Sequence, residues 1–293
     1  MYKEFYGLTQ NPFEVSPDPY FFYPTPAHTE ALANLVYGVL HRKGFVVVTG
    51  EVGTGKTLLV RCLQESLTRN NVAFGYVYNP LISVSEFLTY VINDLGLRLP
   101  INCTKSACLS CLNDFLMQRS RKGLTTALIV DEAQLLSWDL LEEIRLLTNL
   151  ETSKHKLLQI VLLGQPEFER KLDSPQLRQL KQRIGLRCSL KPLMLHELRG
   201  YIDQRLRLAG ADAQALNIFP DETIDLIQKC SSGIPRLVNT LCENSLLLGF
   251  WHKQRQISWE LVLEAAADLR LAIFPEISTS FFTDRTPSTE SGI

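Results

Sequence analysis

No apolar run in the 293 residues reaches the roughly 18 needed to cross a bilayer. The longest aliphatic stretches, Phe45 to Val48 and Leu157 to Leu163, have the lengths of strands. The opening segment MYKEFYGLTQNPF has no apolar core of the kind that makes a secretory signal. An excess of one charge is also missing. Thirty basic residues face thirty-one acidic ones, for a net charge of −1. That argues against a protein that coats nucleic acid through its global charge, while leaving room for a local basic groove. Seven cysteines, an odd number spread along the chain, do not make a disulfide framework and fit reduced thiols. A cytoplasmic location is expected. With 45% hydrophobic and 21% charged residues, the composition is that of a globular protein and excludes disordered, collagenous and coiled-coil chains. At about 150 residues per domain, the length suggests two domains.

The first 40 residues interleave Phe5, Tyr6, Phe13 and Tyr20 to Tyr23 with Pro12, Pro17, Pro19, Pro24 and Pro26. Prolines at that density oppose a helix. Residues 1–40 are therefore expected to form an ordered arm packed on a core, closing with a helix from about Thr29 to Leu40. From Phe45 the pattern alternates strand and helix. FVVVTG, AFGYVY, TALIVDE, LLQIVLLG and CSLKPL read as five strands, and helices are expected over Lys56 to Leu67, Ser83 to Leu95 and Lys105 to Arg121. Ser83 and Glu86 have the spacing of a capping box. Apolar runs alternating with helices indicate an α/β fold with a parallel sheet covered on both faces, over residues 41–192. After Pro192 the strand patterns stop. Helical patterns over His196 to Ala209, Asp221 to Cys230, Ile234 to Trp251 and Trp259 to Leu271 indicate an all-helical domain over residues 193–272. The Ser- and Thr-rich tail, 273–293, is expected to be disordered.

The strongest chemical signal is Gly50-Glu51-Val52-Gly53-Thr54-Gly55-Lys56-Thr57. It has the form G-x-x-x-x-G-K-[ST], directly after a buried strand and opening a helix. Its glycines let backbone amides wrap phosphates, and the helix start adds unpaired N–H groups and a positive dipole end. Lys56 would neutralise the β- and γ-phosphates of ATP, and the Thr57 hydroxyl would ligate Mg²⁺. Four apolar residues, Ala127 to Val130, precede Asp131 and Glu132. Asp131 is placed at a strand tip to hold Mg²⁺, and Glu132 to polarise an attacking water; the other reading of the pair is a solvated acidic turn. Gln134 either lines the same edge or serves the turn. Gln165, ending the fourth strand, is a candidate sensor of the γ-phosphate, or else satisfies local backbone.

Arg178, Lys181, Arg183 and Arg187 cluster between the fourth and fifth strands. Either one of them reaches a neighbouring subunit's nucleotide, Arg183 first and Arg178 second, or the run is a solvated basic face. Arg236, in Gly233-Ile234-Pro235-Arg236, either projects from a helix start to contact the nucleotide phosphates or is a surface arginine beside a helix cap. Cys103, Cys108 and Cys111 have C-x4-C-x2-C spacing, but the helical apolar face through them reads as packed thiols rather than a cluster site. His28 and His41 lack the spacing of metal ligands. Phe22 and Tyr23 would either cover an adenine base or pack into the core.

YGLTQNPFEVSPDPYFFYPTPAHTEAL, GEVGTGKT, VDEAQLL, EEIRLLTNLET, IVLLGQPEF, LRQLKQRI and GIPRLVN together resemble the AAA+ class of P-loop ATPases. Within that class they resemble the ExeA/GspA-like (general secretion pathway protein A) family, over about residues 2–270. The resemblance implies a five-stranded sheet of order 5-1-4-3-2, a C-terminal helical lid, Mg²⁺-dependent ATP hydrolysis and a homo-oligomer with nucleotide at its subunit interfaces. It also implies the metal and base roles of Asp131 and Glu132 and the second-sensor role of Arg236. The sequence reads as a short form, without the membrane span and peptidoglycan-binding part of longer members. The implied partner is a protein of secretion or exopolysaccharide-export machinery at the inner membrane. Related AAA+ regulators of DNA transposition, of the TniB/TnsC kind, make an ATP-dependent DNA-binding protein the alternative. A nucleotide switch with negligible turnover is a third reading.

Overall fold

A computed structural model describes residues 2–98, 103–153, 155–212 and 215–271. Contacts divide the chain into two compact units, Pro17–Lys191 and the described parts of Met1–Ser16 with Pro192–Ile293. No helix among the described residues is long and apolar enough to cross a membrane.

The chain begins with a short helix, α1 (Tyr2–Phe5), that belongs to the second unit. The first unit then runs α2 (Pro26–Leu40), β1 (Phe45–Gly50), α3 (Lys56–Arg69), β2 (Ala73–Val77), α4 (Val84–Asp94), α5 (Lys105–Arg121), β3 (Thr126–Val130), α6 (Trp138–Leu147), β4 (Leu158–Gly164), α7 (Pro166–Leu172), α8 (Arg178–Lys181) and β5 (Ile184–Leu190). The strands form one sheet in the order β2-β3-β4-β1-β5, and all pairs are parallel. This is the five-stranded order expected from the sequence, read from the other edge.

The three inner strands are buried along their whole length, so both faces need cover. Alternate residues serve the two sides. Val47, Leu128, Val130, Ile160 and Leu162 pack against apolar residues of α4, α5, α6 and α7. Val46, Val48, Ile129, Val161 and Leu163 pack against α2 and α3. Helix α2 comes very close to β1 at Gly38, where a Cβ would lie 2.4 Å from Val46 Cγ2.

Two element starts differ from the sequence expectation by three residues or more. Helix α2 starts at Pro26, three residues before Thr29. Thr25 caps it by accepting from the His28 N–H, and a proline in the first turn loses no helical hydrogen bond. The fifth strand starts at Ile184 instead of Cys188. It is an edge strand whose exposed Gly185, Arg187 and Ser189 alternate with half-buried residues, which hides its first half from an apolar-run reading. Arg187 therefore lies on β5, not before it.

The second unit holds α9 (Leu195–Leu208), α10 (Asp221–Ser231), α11 (Pro235–Trp251) and α12 (Trp259–Asp268). The N-terminal segment is not one arm. Its first part packs on these helices, while Pro17 onward joins the sheet unit. The Tyr2 hydroxyl donates to the Glu243 carboxylate at 2.7 Å. Tyr6 OH donates to the Gln254 carbonyl at 3.0 Å, and Arg205 donates to the Pro12 carbonyl at 2.7 Å. Phe13, fully buried, meets Phe219 edge-on at 5.8 Å. The tail 273–293, expected to be disordered, lies outside the described residues. Because Phe13 plugs the helical unit, Phe13→Ala should cost about 3–5 kcal/mol, read from the shift of the urea unfolding midpoint.

Candidate functional site

The sheet order places the C-terminal tips of β1, β3 and β4 side by side, the edge at which open α/β sheets take ligands. The loop after β1 bends through Gly53 (φ +84°) and Gly55 (φ +100°) before α3 begins at Lys56. Side chains with a Cβ rarely adopt such values. The loop is braced from within by Thr54, fully buried, whose hydroxyl donates to the Glu51 carbonyl at 2.8 Å. Gly50, Gly53, Gly55 and the intervening backbone thus leave the first N–H groups of α3 free of side-chain caps. Glu51 and Val52 are exposed.

Lys56 is buried, at 6% exposure. Its ammonium donates back into the loop, to the Gly50 carbonyl at 2.7 Å and the Glu51 carbonyl at 2.9 Å. Burial lowers its pKa, opposed by the negative charges of Glu132 and Asp131. Thr57 begins the helix beside it, and its hydroxyl donates to Asp131 Oδ2 at 3.4 Å.

Asp131 continues the β2–β3 ladder by one step, its N–H donating to the Val77 carbonyl at 2.9 Å. Its carboxylate accepts the Glu132 N–H at 2.9 Å and the Tyr76 hydroxyl at 3.3 Å. Burial pushes its pKa up, offset by the Glu132 N–H, by Tyr76 and by Lys56. Thr57 and Asp131 are hard oxygen donors converging on one point, and the buried carboxylate is held above its ordinary range. That set suits a small divalent cation such as Mg²⁺. An open groove of about 700 Å³, lined by Thr57, Arg61, Gln64, Thr68 and Tyr76 among others, keeps this side accessible.

Glu132 sits in the left-handed region at φ +51°, ψ +41°, which costs a non-glycine residue of order 1–3 kcal/mol. Its carboxylate accepts from the side-chain amides of Gln134 and, at 3.3 Å, Gln165. The Gln165 N–H donates to Gln134 Oε1 at 3.1 Å. Lys171 of α7 holds the same turn through the Gln134 and Leu136 carbonyls. The tips of β3 and β4 are thereby joined through one carboxamide, that of Gln134.

The arginines separate. Arg183 donates to the Arg145 carbonyl at 3.0 Å, to Asn149 Oδ1 at 2.9 Å and to Thr148. It is tied within its own unit, which weighs against its role as a finger. Arg187 pairs with Glu169 at 2.6 Å and Lys181 with Asp173 at 2.5 Å. Arg178 is exposed at the start of α8. Arg236 is exposed in the first turn of α11, in the helical unit. Gly233 shapes that entry. It has φ +70°, and a Cβ there would lie 2.1 Å from the Leu193 carbonyl oxygen. Cys108 is buried and Cys103 and Cys111 are half-buried on α5 and its entry. Phe22 packs edge-on to the His28 ring at 6.2 Å. Tyr76 and the bridging role of Gln134 were not foreseen. The placement of Tyr76 near the end of a strand neighbouring β3 was the available signal.

The AAA domain family matches residues 39–172. The chain is 40% identical over 251 residues to general secretion pathway protein A of Aeromonas hydrophila, covering 85% of this chain and 45% of that protein. It therefore spans less than half of that relative's length. The crystal structure of Cdc6p from Pyrobaculum aerophilum superposes with a TM-score of 0.68 at 17% identity, over 91% of this chain and 73% of that one. Drosophila ORC bound to DNA gives 0.64 at 19% identity, over 89% and 65%. At such identities the likeness is one of fold.

A carboxyl held above its ordinary value stabilises a fold while protonated, and that contribution is lost as pH rises through the folded value. At neutral pH the ionised Asp131 burdens the nucleotide-free protein. Asp131→Asn should raise its unfolding free energy by roughly 1 kcal/mol near pH 7. The gain should shrink toward about pH 4, as urea denaturation at the two pH values would measure.

Proposed function

Since the chain belongs to the ExeA/GspA-like AAA proteins, we propose that it binds ATP with Mg²⁺ at the β1–α3 loop and hydrolyses the β–γ bond. The observation that carries this reading is the convergence of Lys56, the Thr57–Asp131 pair and the Glu132–Gln165 pair at three adjacent strand tips. Phosphates are bound by the amides of Gly53 to Thr57 and by Lys56, which leaves the Gly50 and Glu51 carbonyls to meet them. Thr57 and Asp131 are the residues that would hold Mg²⁺. When bound, the ion offsets negative charge on the phosphate oxygens. Glu132 takes a proton from a water aligned with the β–γ bond, and Gln165 turns its amide from Glu132 toward that water and the γ-phosphate. ADP and phosphate are the products.

Arg178 is the finger candidate, acting in a second copy's site within a homo-oligomer. Its exposure supports it, as the internal bonds of Arg183 count against the latter. Arg236 is proposed to read the nucleotide from the helical unit, so that hydrolysis moves this lid. The kinship with general secretion pathway protein A supports a protein partner in secretion or export machinery at the inner membrane, remodelled by that motion.

Lys56→Ala should abolish binding of a fluorescent ATP analogue. Glu132→Gln should keep that affinity within about threefold while steady-state phosphate release falls by roughly 10²- to 10⁴-fold. Native turnover in Glu132→Gln would overturn the assignment of the base.

A further inference from the structure

The residues before β1 lie outside the catalytic reading, yet one of them reaches the phosphate-binding loop. His28 sits in the first turn of α2 and is 6% exposed. Its Nε2 lies 2.9 Å from the Thr54 carbonyl oxygen. Its Nδ1 lies 2.7 Å from Thr25 Oγ1, the same hydroxyl oxygen that accepts the His28 N–H at 3.2 Å. A carbonyl only accepts, so Nε2 must carry a proton and donate, whatever the state of Nδ1. The Thr25 hydroxyl fixes the ring from its other side, and Phe22 covers it edge-on.

The consequence lies in the next peptide. In a trans peptide plane the carbonyl and the following N–H point in opposite directions. Holding the Thr54 carbonyl toward α2 turns the Gly55 N–H away from it. Gly55 is the residue with φ +100°, and a Cβ on it would come 3.2 Å from His28 Nε2. Only glycine allows both that backbone conformation and that approach. The anchor is firm, because α2 is pressed onto β1 at Gly38 and Thr54 is also tied to Glu51 within the loop.

We propose that His28 is a positioning residue of the nucleotide site: its Nε2–H presets the Thr54–Gly55 peptide so that the Gly55 N–H faces the phosphates. This rests on the reading of that loop as an ATP site. A preset amide donor acts on ground-state phosphate binding, whereas the base at the β3 tip is untouched. The effect is therefore on affinity more than on turnover at saturation.

The test compares two substitutions of similar volume by binding of a fluorescent ATP analogue and by steady-state phosphate release, with thermal unfolding as the control for folding. Glutamine carries an N–H donor the same number of bonds from Cα as histidine Nε2, and leucine carries none. His28→Leu should weaken binding and raise KM at least tenfold, with kcat within about threefold of native. His28→Gln should restore the affinity to within about threefold. Should His28→Leu fail to fold, Thr25→Ala reads the same tether, since it keeps the imidazole but removes the hydroxyl that orients it, and a several-fold weaker affinity is expected. Native affinity in His28→Leu, or in Thr25→Ala where that variant is used, would overturn the proposal. So would a His28→Gln variant as weak as His28→Leu. If the native chain itself binds no ATP analogue and Lys56→Ala changes nothing, the reading of the loop falls together with the proposal.

Discussion

The side-by-side pairing of β1, β4 and β3 is the constraint on which the rest depends. Each is buried from end to end, so none tolerates a shift that would expose its apolar residues. Their registers pair Thr49 with Gly164 and Val130 with Leu162, which brings three loop starts to one edge. The chemistry is then set by the residues just past each strand tip. A glycine loop and helix start come after β1, two acids after β3, and a glutamine after β4. The apolar cores on the two faces supply the rigidity that lets short polar side chains meet at hydrogen-bond distance.

The site so formed gathers buried charge. Burial works against the charge on Lys56 and against that on Asp131. The lysine turns to loop carbonyls, and the aspartate collects a hydroxyl from Thr57, another from Tyr76 and a backbone N–H. Glu132 is held in a left-handed backbone conformation by the turn it opens. Such concentrated desolvation and strain are features that binding of a phosphate chain and a divalent cation would relieve. The Gln134 carboxamide joins the tips of β3 and β4.

Much of this was legible in the sequence, because the signals were local. The inner strands are apolar runs, the phosphate loop is a contiguous motif, and Ser83 with Glu86 forms the expected capping box. The features that were not legible depended on distant partners or on polar edges. The internal ties of Arg183 come from residues 34 to 38 positions away, and the link from His28 to Thr54 spans 26. Strand β5 alternates as an edge strand and carries no apolar run in its first half. The prolines from Pro12 to Pro26 read as one ordered arm, yet Pro26 opens a helix and the segment is shared between two units. The short helix α7, with a proline at its start, was likewise hidden by residues that usually mark loops.

The central claim is that the β1–α3 loop and the β3 tip form one site for Mg²⁺ and ATP. It is tested most directly by a crystal structure of the native chain with Mg²⁺ and a non-hydrolysable ATP analogue. The account predicts that Lys56 leaves the Gly50 and Glu51 carbonyls for the β- and γ-phosphates, with the ion between the phosphates and the Thr57–Asp131 pair. Nucleotide bound elsewhere, or Lys56 still bonded to those carbonyls with nucleotide present, would contradict it.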